Sequence, residues 1–394
     1  MATVKERNGS YLIRCSAGYN TEGVQIRKTM TWKPDPKMND KQKENALKDV
    51  IDDFEEKVKG KRILKGNVRF ADFTQRWLTE YAEKQLAPKT ILHYKNLLTR
   101  INQSIGHMKL DDIEPPDLLE FYNKLGEDGV SARGGKLSPK TIREHHALIS
   151  SILRTAVEWQ YILSNVAERV KAPRVPRKEL QYLDENEAKR VIELLADEDL
   201  KYCTAIILLI YSGMRRGELC GLRWSDIDFE NNIVSIRRAA QYLPRIGVIV
   251  KEPKTATSIR PLKLATEAFV LLKAYKTWQA EQRLKLGSAW IDNDYIFTQW
   301  NGEIMHPDTL TSFFSDFAKK HNLPEGTVLH SLRHTNATLL IACGTPIRTV
   351  ANRLGHANAS TTINIYTHAI QSADAKAAED LGDMLNPTKR LQKV

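Results

Sequence analysis

Seven residues, Ala172–Lys178 (APRVPRK), constrain this chain more than any other stretch. Its two prolines remove backbone donors and hold their neighbours extended, so no helix runs through them. Three cations share the stretch and no apolar period crosses it, which predicts an extended basic linker over 172–178. The two sides differ. The helical spacing just before it is unbroken by strand-like runs, whereas residues 179–394 mix helical runs with short strand-like ones. A length of 394 residues suits two or three domains of roughly 100–200 residues each.

Charge is spread as unevenly as pattern. The chain has 59 Lys plus Arg against 48 Asp plus Glu, a net +11. Residues 1–66 and 67–178 hold +5 each, and residues 179–394 only +1. A basic front half suits a polyanionic partner, most often nucleic acid; a surplus for solubility is the plainer alternative. At 42% hydrophobic and 27% charged, the composition excludes a disordered or fibrous chain. The longest apolar run, Ala205–Tyr211, falls far short of the ~20 residues of a membrane helix. The N-terminal MATVKERNGSYLIRC lacks an apolar signal core, so a cytoplasmic protein without membrane contact is expected. Cys15, Cys203, Cys220 and Cys343 form no CxxC pair; reduced packing residues are expected, not a disulfide scaffold or a cysteine-rich zinc site.

The first segment (1–66) reads as strands followed by a helix. Ser10–Ser16 and Val24–Trp32 are β-prone, and the turn-rich residues between them predict a hairpin. Asn39 or Asp40 caps a helix to about Lys59, with Ala46, Val50, Phe54 and Val58 on one face. A small basic sheet fits a DNA major groove, with Arg27 and Lys28 as candidate contacts; a plain accessory domain is the alternative. Lys59–Asn67 reads as a linker. The second segment (67–171) is predicted wholly helical, with helices around Phe70–Tyr81, from Pro88, over Ile113–Leu125 and from Ser138-Pro139. Lys89, Lys95, Lys140, Arg143 and Arg154 are its candidate DNA-facing cations, though a charged helix face is often merely solvated. The third segment (179–394) is predicted mixed and mainly helical. Strands are expected at Ile233–Ile236, Gly247–Val250 and Ser258–Leu264, and a last helix over Ser372–Leu385.

Four stretches of this segment carry the chemistry. In YSGMRRGELCGLRWSDID a buried helix ends at Gly213, and Arg215, Arg216 and Glu218 open the next turn. A helix start with its free N–H groups, together with an arginine fork, suits a phosphate oxygen; a surface cap with an internal ion pair is the alternative. In EPKTATSIRPLKL, Lys254 follows one strand and the chain turns back through 259–264, a hairpin tip where a lysine is ordinarily just solvated. In HSLRH, His330 and Arg333 share a helix face, a pair that is often structural. In LGHANASTTINIYTHA, His356 follows a helix-ending glycine and Tyr366 comes ten residues later. No HExxH or cysteine pair supports a metal, and His334 and His368 lack spaced carboxylates. No phosphate-binding loop or dinucleotide fingerprint supports a nucleotide cofactor, so none is expected.

The order Arg, Lys, His-x-x-Arg, His, Tyr over some 150 residues resembles the tyrosine recombinase (phage integrase) family. The resemblance implies an α+β multidomain fold: an arm-type DNA-binding domain (1–66), a helical core-binding domain (67–171), the linker 172–178, and a catalytic domain (179–394) with a C-terminal tail helix. It implies Tyr366 as nucleophile, with Arg215, Lys254, His330, Arg333 and His356 as the catalytic set and Glu218 supporting Arg215. It also implies a 3′-phosphotyrosine intermediate, a Holliday junction and a homotetramer on core and arm attachment sites. An excisionase and a host DNA-bending protein are further implied partners. Asn165-Val166 departs from the Asn-Pro that relatives often show before the linker. A type IB topoisomerase and a non-catalytic DNA-binding regulator of the same fold are the competing readings.

Overall fold

The computed structural model describes residues 2–7, 9–19, 24–36, 38–59, 68–131, 134–176, 181–251, 259–356 and 358–366, with a few positions between 378 and 385. The chain divides into two compact units, Met1–Arg177 and Lys178–Val394.

The first unit begins with a three-stranded antiparallel meander, β1 (Thr3–Arg7), β2 (Ser10–Tyr19) and β3 (Gln25–Trp32). Sequence pattern predicts two of these strands and misses β1, whose every residue is exposed and therefore carries no apolar alternation. Ile13, Cys15 and Ala17 alternate inward, and Cys15 and Ala17 pack with Val58 and Phe54 of α1 (Asp40–Lys59). Asn39 and Gln42 cap α1 reciprocally: the Gln42 N–H donates to Asn39 Oδ1 at 2.9 Å, and the Asn39 N–H to Gln42 Oε1 at 3.0 Å.

The register sorts the sheet's cations by face, because directly opposite residues point the same way. Cys15 pairs with Lys28, and Ser16 with Arg27. Lys28 is therefore on the side that α1 covers and Arg27 on the open side, so the two candidate contacts point to opposite faces of the sheet. The open side also carries Arg14, opposite Thr3 and Thr29, together with Lys5 and Arg7.

Helices α2 (Phe70–Trp77), α3 (Glu83–Gln85), α4 (Pro88–Ile105), α5 (Pro115–Leu125) and α6 (Pro139–Glu158) follow, with one π turn at Leu78–Ala82. Three start on prolines, whose missing N–H costs nothing in a first turn. Phe70, Phe73, Trp77, Ile101, Leu118, Ile149 and Leu153 centre the core, where Trp77 Nε1 donates to Thr155 Oγ1 at 3.2 Å. Lys140, Arg143 and Arg154 are exposed and, at about 100° per residue, share one side of α6. Lys89 and Lys95 diverge on α4 by the same arithmetic. Lys95 is bound to Glu83 at 2.9 Å, and Arg154 is 3.9 Å from Glu168. Asn165 anchors its turn by donating to the Ser150 carbonyl at 3.0 Å.

The second unit is built on α8 (Leu200–Ser212), which follows α7 (Glu185–Leu194). Cys203, Ala205, Ile206, Leu208, Leu209 and Ile210 are all buried, so α8 is surrounded and reads apolar on every side. After α9 (Arg216–Cys220) come β4 (Ile227–Asp228), β5 (Ile233–Ile236), β6 (Ala239–Leu243), β7 (Gly247–Lys251) and β8 (Arg260–Lys263). The helices α10 (Thr266–Leu286), α11 (Pro307–Lys320), α12 (Ser331–Ala342), α13 (Ile347–Leu354) and α14 (Ala359–Ile365) complete it. β4, β5 and β8 form one antiparallel sheet, and β6 with β7 forms a separate hairpin. This corrects the expected return of β7 through 259–264: β7 pairs backward with β6, and β8 pairs with β5. Lys254 and most of the predicted tail helix lie outside the described residues. Among the described residues, no helix is long and apolar enough to cross a membrane.

Candidate active site

Two glycines end helices where the site begins. Gly213 closes α8 at φ 63°, and an added Cβ would stand 2.6 Å from Asn336 Oδ1 and 2.8 Å from Leu354. Gly355 closes α13 at φ 67°, where a Cβ would come within 2.7 Å of Arg260 Nη1. Both positions need left-handed backbone and close approach, which only glycine gives without strain.

The carbonyls at these two ends hold Arg333. Its Nη1 donates to the Gly213 carbonyl and its Nη2 to the Leu354 carbonyl, each at 2.7 Å. Helix C-termini leave such carbonyls unpaired and partly negative, so they suit a buried guanidinium. Burial and then the nearby Arg215 charge bring the Arg333 pKa down to about 10, still cationic at neutral pH.

Arg215 stands before the first turn of α9. Its backbone N–H donates to Glu218 Oε2 and its Nη1 to Glu218 Oε1, both at 2.8 Å, while Nη2 reaches the Gly355 carbonyl at 3.4 Å. Glu218 also pairs with Arg260 Nη2 at 3.0 Å. Burial pushes the Glu218 carboxyl up, but the Arg260 hydrogen bond and charge, with those of Arg215, hold it below the usual carboxylate range. Arg260, which sequence reading passes over, also donates from Nε to the Arg353 carbonyl at 2.6 Å and so fastens β8 to α13.

The histidines are neutral at neutral pH. His330 sits at the exposed start of α12, and desolvation, Arg333 and Arg215 lower its pKa. His356 follows Gly355, and its Nδ1 bonds Thr362 Oγ1 at 2.8 Å. Desolvation and the charges of Arg333, Arg215 and Arg260 bring His356 down to about 4.

Tyr366 is only 5% exposed and packs with Ala337, Ile341, Val350 and Leu354. Its hydroxyl bonds His334 Nδ1 at 2.9 Å. Burial outweighs the favourable charge of Arg333, and the phenol is pushed up to about 12. Its partner is thus not His330, the histidine that shares a helix face with Arg333. Sequence reading weighs His334 only as a metal ligand; its place four residues after His330, one helical turn on, was the available signal.

The fold thus gathers Arg215, Glu218, His330, Arg333, His356 and Tyr366 around the start of α12. A cavity of about 330 Å³ opens beside His330 and Arg333, lined also by Met214, Arg216 and Thr311. Three guanidiniums against one carboxylate, with neutral imidazoles at the rim, make an anion site. Among the described residues, no group of three or more His, Cys, Asp or Glu is placed to hold a metal.

Residues 181–372 match the model of the phage integrase family, and residues 69–126 match the phage integrase N-terminal SAM-like domain. The chain belongs to the tyrosine recombinase family. This recombinase is 29% identical to a tyrosine recombinase XerC-like protein of Caldanaerobacter subterraneus subsp. tengcongensis, over 97% of this chain and 98% of that one. It is also 29% identical to the ICEBs1 integrase of Bacillus subtilis, over 74% of this chain and 78% of that one. Its fold is similar to that of the Tn1549 transposon integrase solved with a circular intermediate DNA, with TM-score 0.66 and 22% identity over 79% of this chain and 99% of that one.

Proposed function

We propose that this site-specific recombinase integrates and excises a mobile DNA element, a phage or a conjugative transposon, at duplex attachment sites. The observation that carries the reading is Tyr366 docked on α12 with its hydroxyl 2.9 Å from His334, one residue beyond the buried Arg333. A phosphodiester is an anion that repels nucleophiles, and its transition state spreads charge over the non-bridging oxygens. Arg215 and Arg333 offer paired donors to those oxygens, and His330 and His356 add directional bonds. The Tyr366 oxygen attacks phosphorus as its proton passes to the neutral His330 imidazole, the bond to the 5′ oxygen breaks, and Lys254 gives a proton of its own to that oxygen. The 3′-phosphotyrosine keeps the bond energy of the backbone, so rejoining needs neither metal nor ATP. Glu218 positions Arg215.

Two duplexes exchanged through a Holliday junction present four strands, and each protomer brings one Tyr366, so four protomers complete the reaction. The segment 67–171 grips the core site through the α6 side that carries Lys140, Arg143 and Arg154, with Lys89 and Lys95 on α4. Segment 1–66 takes the arm site on the open sheet side with Arg14 and Arg27. Residues 172–178 link these to the catalytic segment 179–394, and an excisionase and a DNA-bending protein would set direction.

A nicked suicide duplex cut from DNA flanking the gene tests the reading. The wild type should form an adduct mapped to Tyr366, and Tyr366→Phe should bind the duplex without one. An adduct persisting in that variant would place the nucleophile elsewhere. Relaxation of plasmid lacking the site, with no recombinant joint, would point to the topoisomerase alternative.

A further inference from the structure

His334 has no part in the chemistry above, yet it is the side chain that meets the Tyr366 hydroxyl. The phenol lies among Ala337, Ile341, Val350 and Leu354, and a hydroxyl buried in such surroundings needs a polar partner. His334 is itself 8% exposed, one turn beyond His330, with the two rings edge to face at 4.9 Å. A second bond holds the same short helix: Thr362, four residues before Tyr366 and fully buried, bonds His356 Nδ1 at 2.8 Å. Thr362 and Tyr366 therefore dock one side of α14 at two points.

The docked arrangement is closed to DNA. Attack needs the phenol oxygen about 3–3.5 Å from phosphorus and in line with the leaving oxygen. A side chain 5% exposed, with its oxygen turned onto α12, offers no such approach. Tyr366 must leave His334 before it can react.

We infer that His334 is a positioning residue for Tyr366, holding its hydroxyl protonated and sheltered in the DNA-free protein and releasing it when DNA is engaged. The inference rests on Tyr366 being the nucleophile. The protonation states agree with the geometry. Burial brings His334 down to about 4, so at neutral pH the ring has a lone pair to accept with, and burial raises the phenol to about 12. An apolar residue at 334 would leave the hydroxyl buried without a partner, which favours its departure. An asparagine would return an oxygen near the place of Nδ1.

Nitration by tetranitromethane, which needs an accessible and ionisable phenol, reads the hold directly in the full-length DNA-free protein. Peptide mapping follows Tyr366, with the fully buried Tyr275 as the control for folding. His334→Phe keeps the ring and loses the acceptor. It should nitrate at Tyr366 about 5-fold faster, the equivalent of one hydrogen bond of about 1 kcal/mol, and His334→Asn should return to the wild-type rate. If His334→Phe also exposes Tyr275, His334→Leu replaces it. Single-turnover adduct formation at saturating suicide duplex should be at least as fast in His334→Phe as in the wild type.

Unchanged nitration of Tyr366 in a variant that protects Tyr275 overturns the inference. So does slower adduct formation at saturating DNA, which would make His334 the proton acceptor of attack. A wild-type adduct on another residue, or none, defeats the proposed function instead, and the nitration arm distinguishes the two failures because it uses no DNA.

Discussion

Glu218 and Arg260 meet at 3.0 Å, both buried, and join the first turn after α8 to the strand β8. The same carboxylate receives Arg215 at 2.8 Å, so the aim of one cation depends on a second that is 45 residues away. Glu218→Ala would take one carboxylate from two guanidiniums, one of them the buried Arg260. A loss of about 3–5 kcal/mol in urea unfolding is expected, with a smaller loss for Glu218→Gln. If the alanine variant unfolds like the wild type, the pair is not what joins these elements.

Arg215→Lys keeps a charge and gives up the fork. The guanidinium is partly exposed, so duplex affinity should change only a few-fold. Cleavage of the suicide duplex should fall by roughly 100-fold, as when one preorganised donor is removed from a transition-state oxyanion. Near-normal cleavage would contradict a clamp of paired donors.

Gly213→Ala meets two obstacles, a φ of 63° and a Cβ 2.6 Å from Asn336 Oδ1. The cost should exceed about 1 kcal/mol. Because the Gly213 carbonyl receives Arg333, cleavage should drop beyond what the stability loss explains. Gly9 has a similar φ of 71° with nothing within 4 Å of the added Cβ, so Gly9→Ala is the control and should cost only the backbone strain. Equal melting shifts for the two would remove the close-approach argument.

Acid should loosen the site. His334 and His356 are held at about 4 in the folded protein, against about 6.5 unfolded. Between those values the unfolded chain binds protons that the native one refuses. Their stabilisation is complete above about pH 6.5 and is lost as pH falls towards 4. Burial opposes their protonation first; Arg333, Arg215 and Arg260 oppose it with fixed positive charge, and His330 does so once it is itself protonated. Melting temperatures from pH 8 to 4.5 should fall less steeply for the His334→Asn, His356→Asn double variant. An identical slope would show that other groups set the acid limit.

On the front sheet, Arg14→Ala with Arg27→Ala should weaken binding to arm-site duplex, and Lys28→Ala, on the side α1 covers, should do so much less. Each lost phosphate contact should reduce the slope of log affinity against log salt by about 0.9. Fluorescence anisotropy at several salt concentrations measures it. A larger effect from Lys28 than from Arg14 and Arg27 together would reverse the choice of face.

Much of the local architecture was legible. Gly213 and Gly355 marked helix ends, Ser138-Pro139 marked a helix start, and the β-prone run Ser10–Ser16 marked a strand, because each signal lies within a few neighbouring residues. β1 and β6 were not legible, since a fully exposed strand and a short hairpin arm carry little apolar alternation. The pairing of β7 was misread because two strands close in sequence can still belong to different sheets.

By itself the sequence determined which residues carry charge, where helices stop, and the order of four motifs that places the chain among tyrosine recombinases. Only the tertiary structure decided the partners: Arg333 with two helix-end carbonyls, Arg260 with Glu218, His334 with Tyr366. Local spacing governs backbone conformation within a turn or two. Groups 21 to 120 residues apart meet only where packing brings their elements together, and burial there sets which of them remain charged.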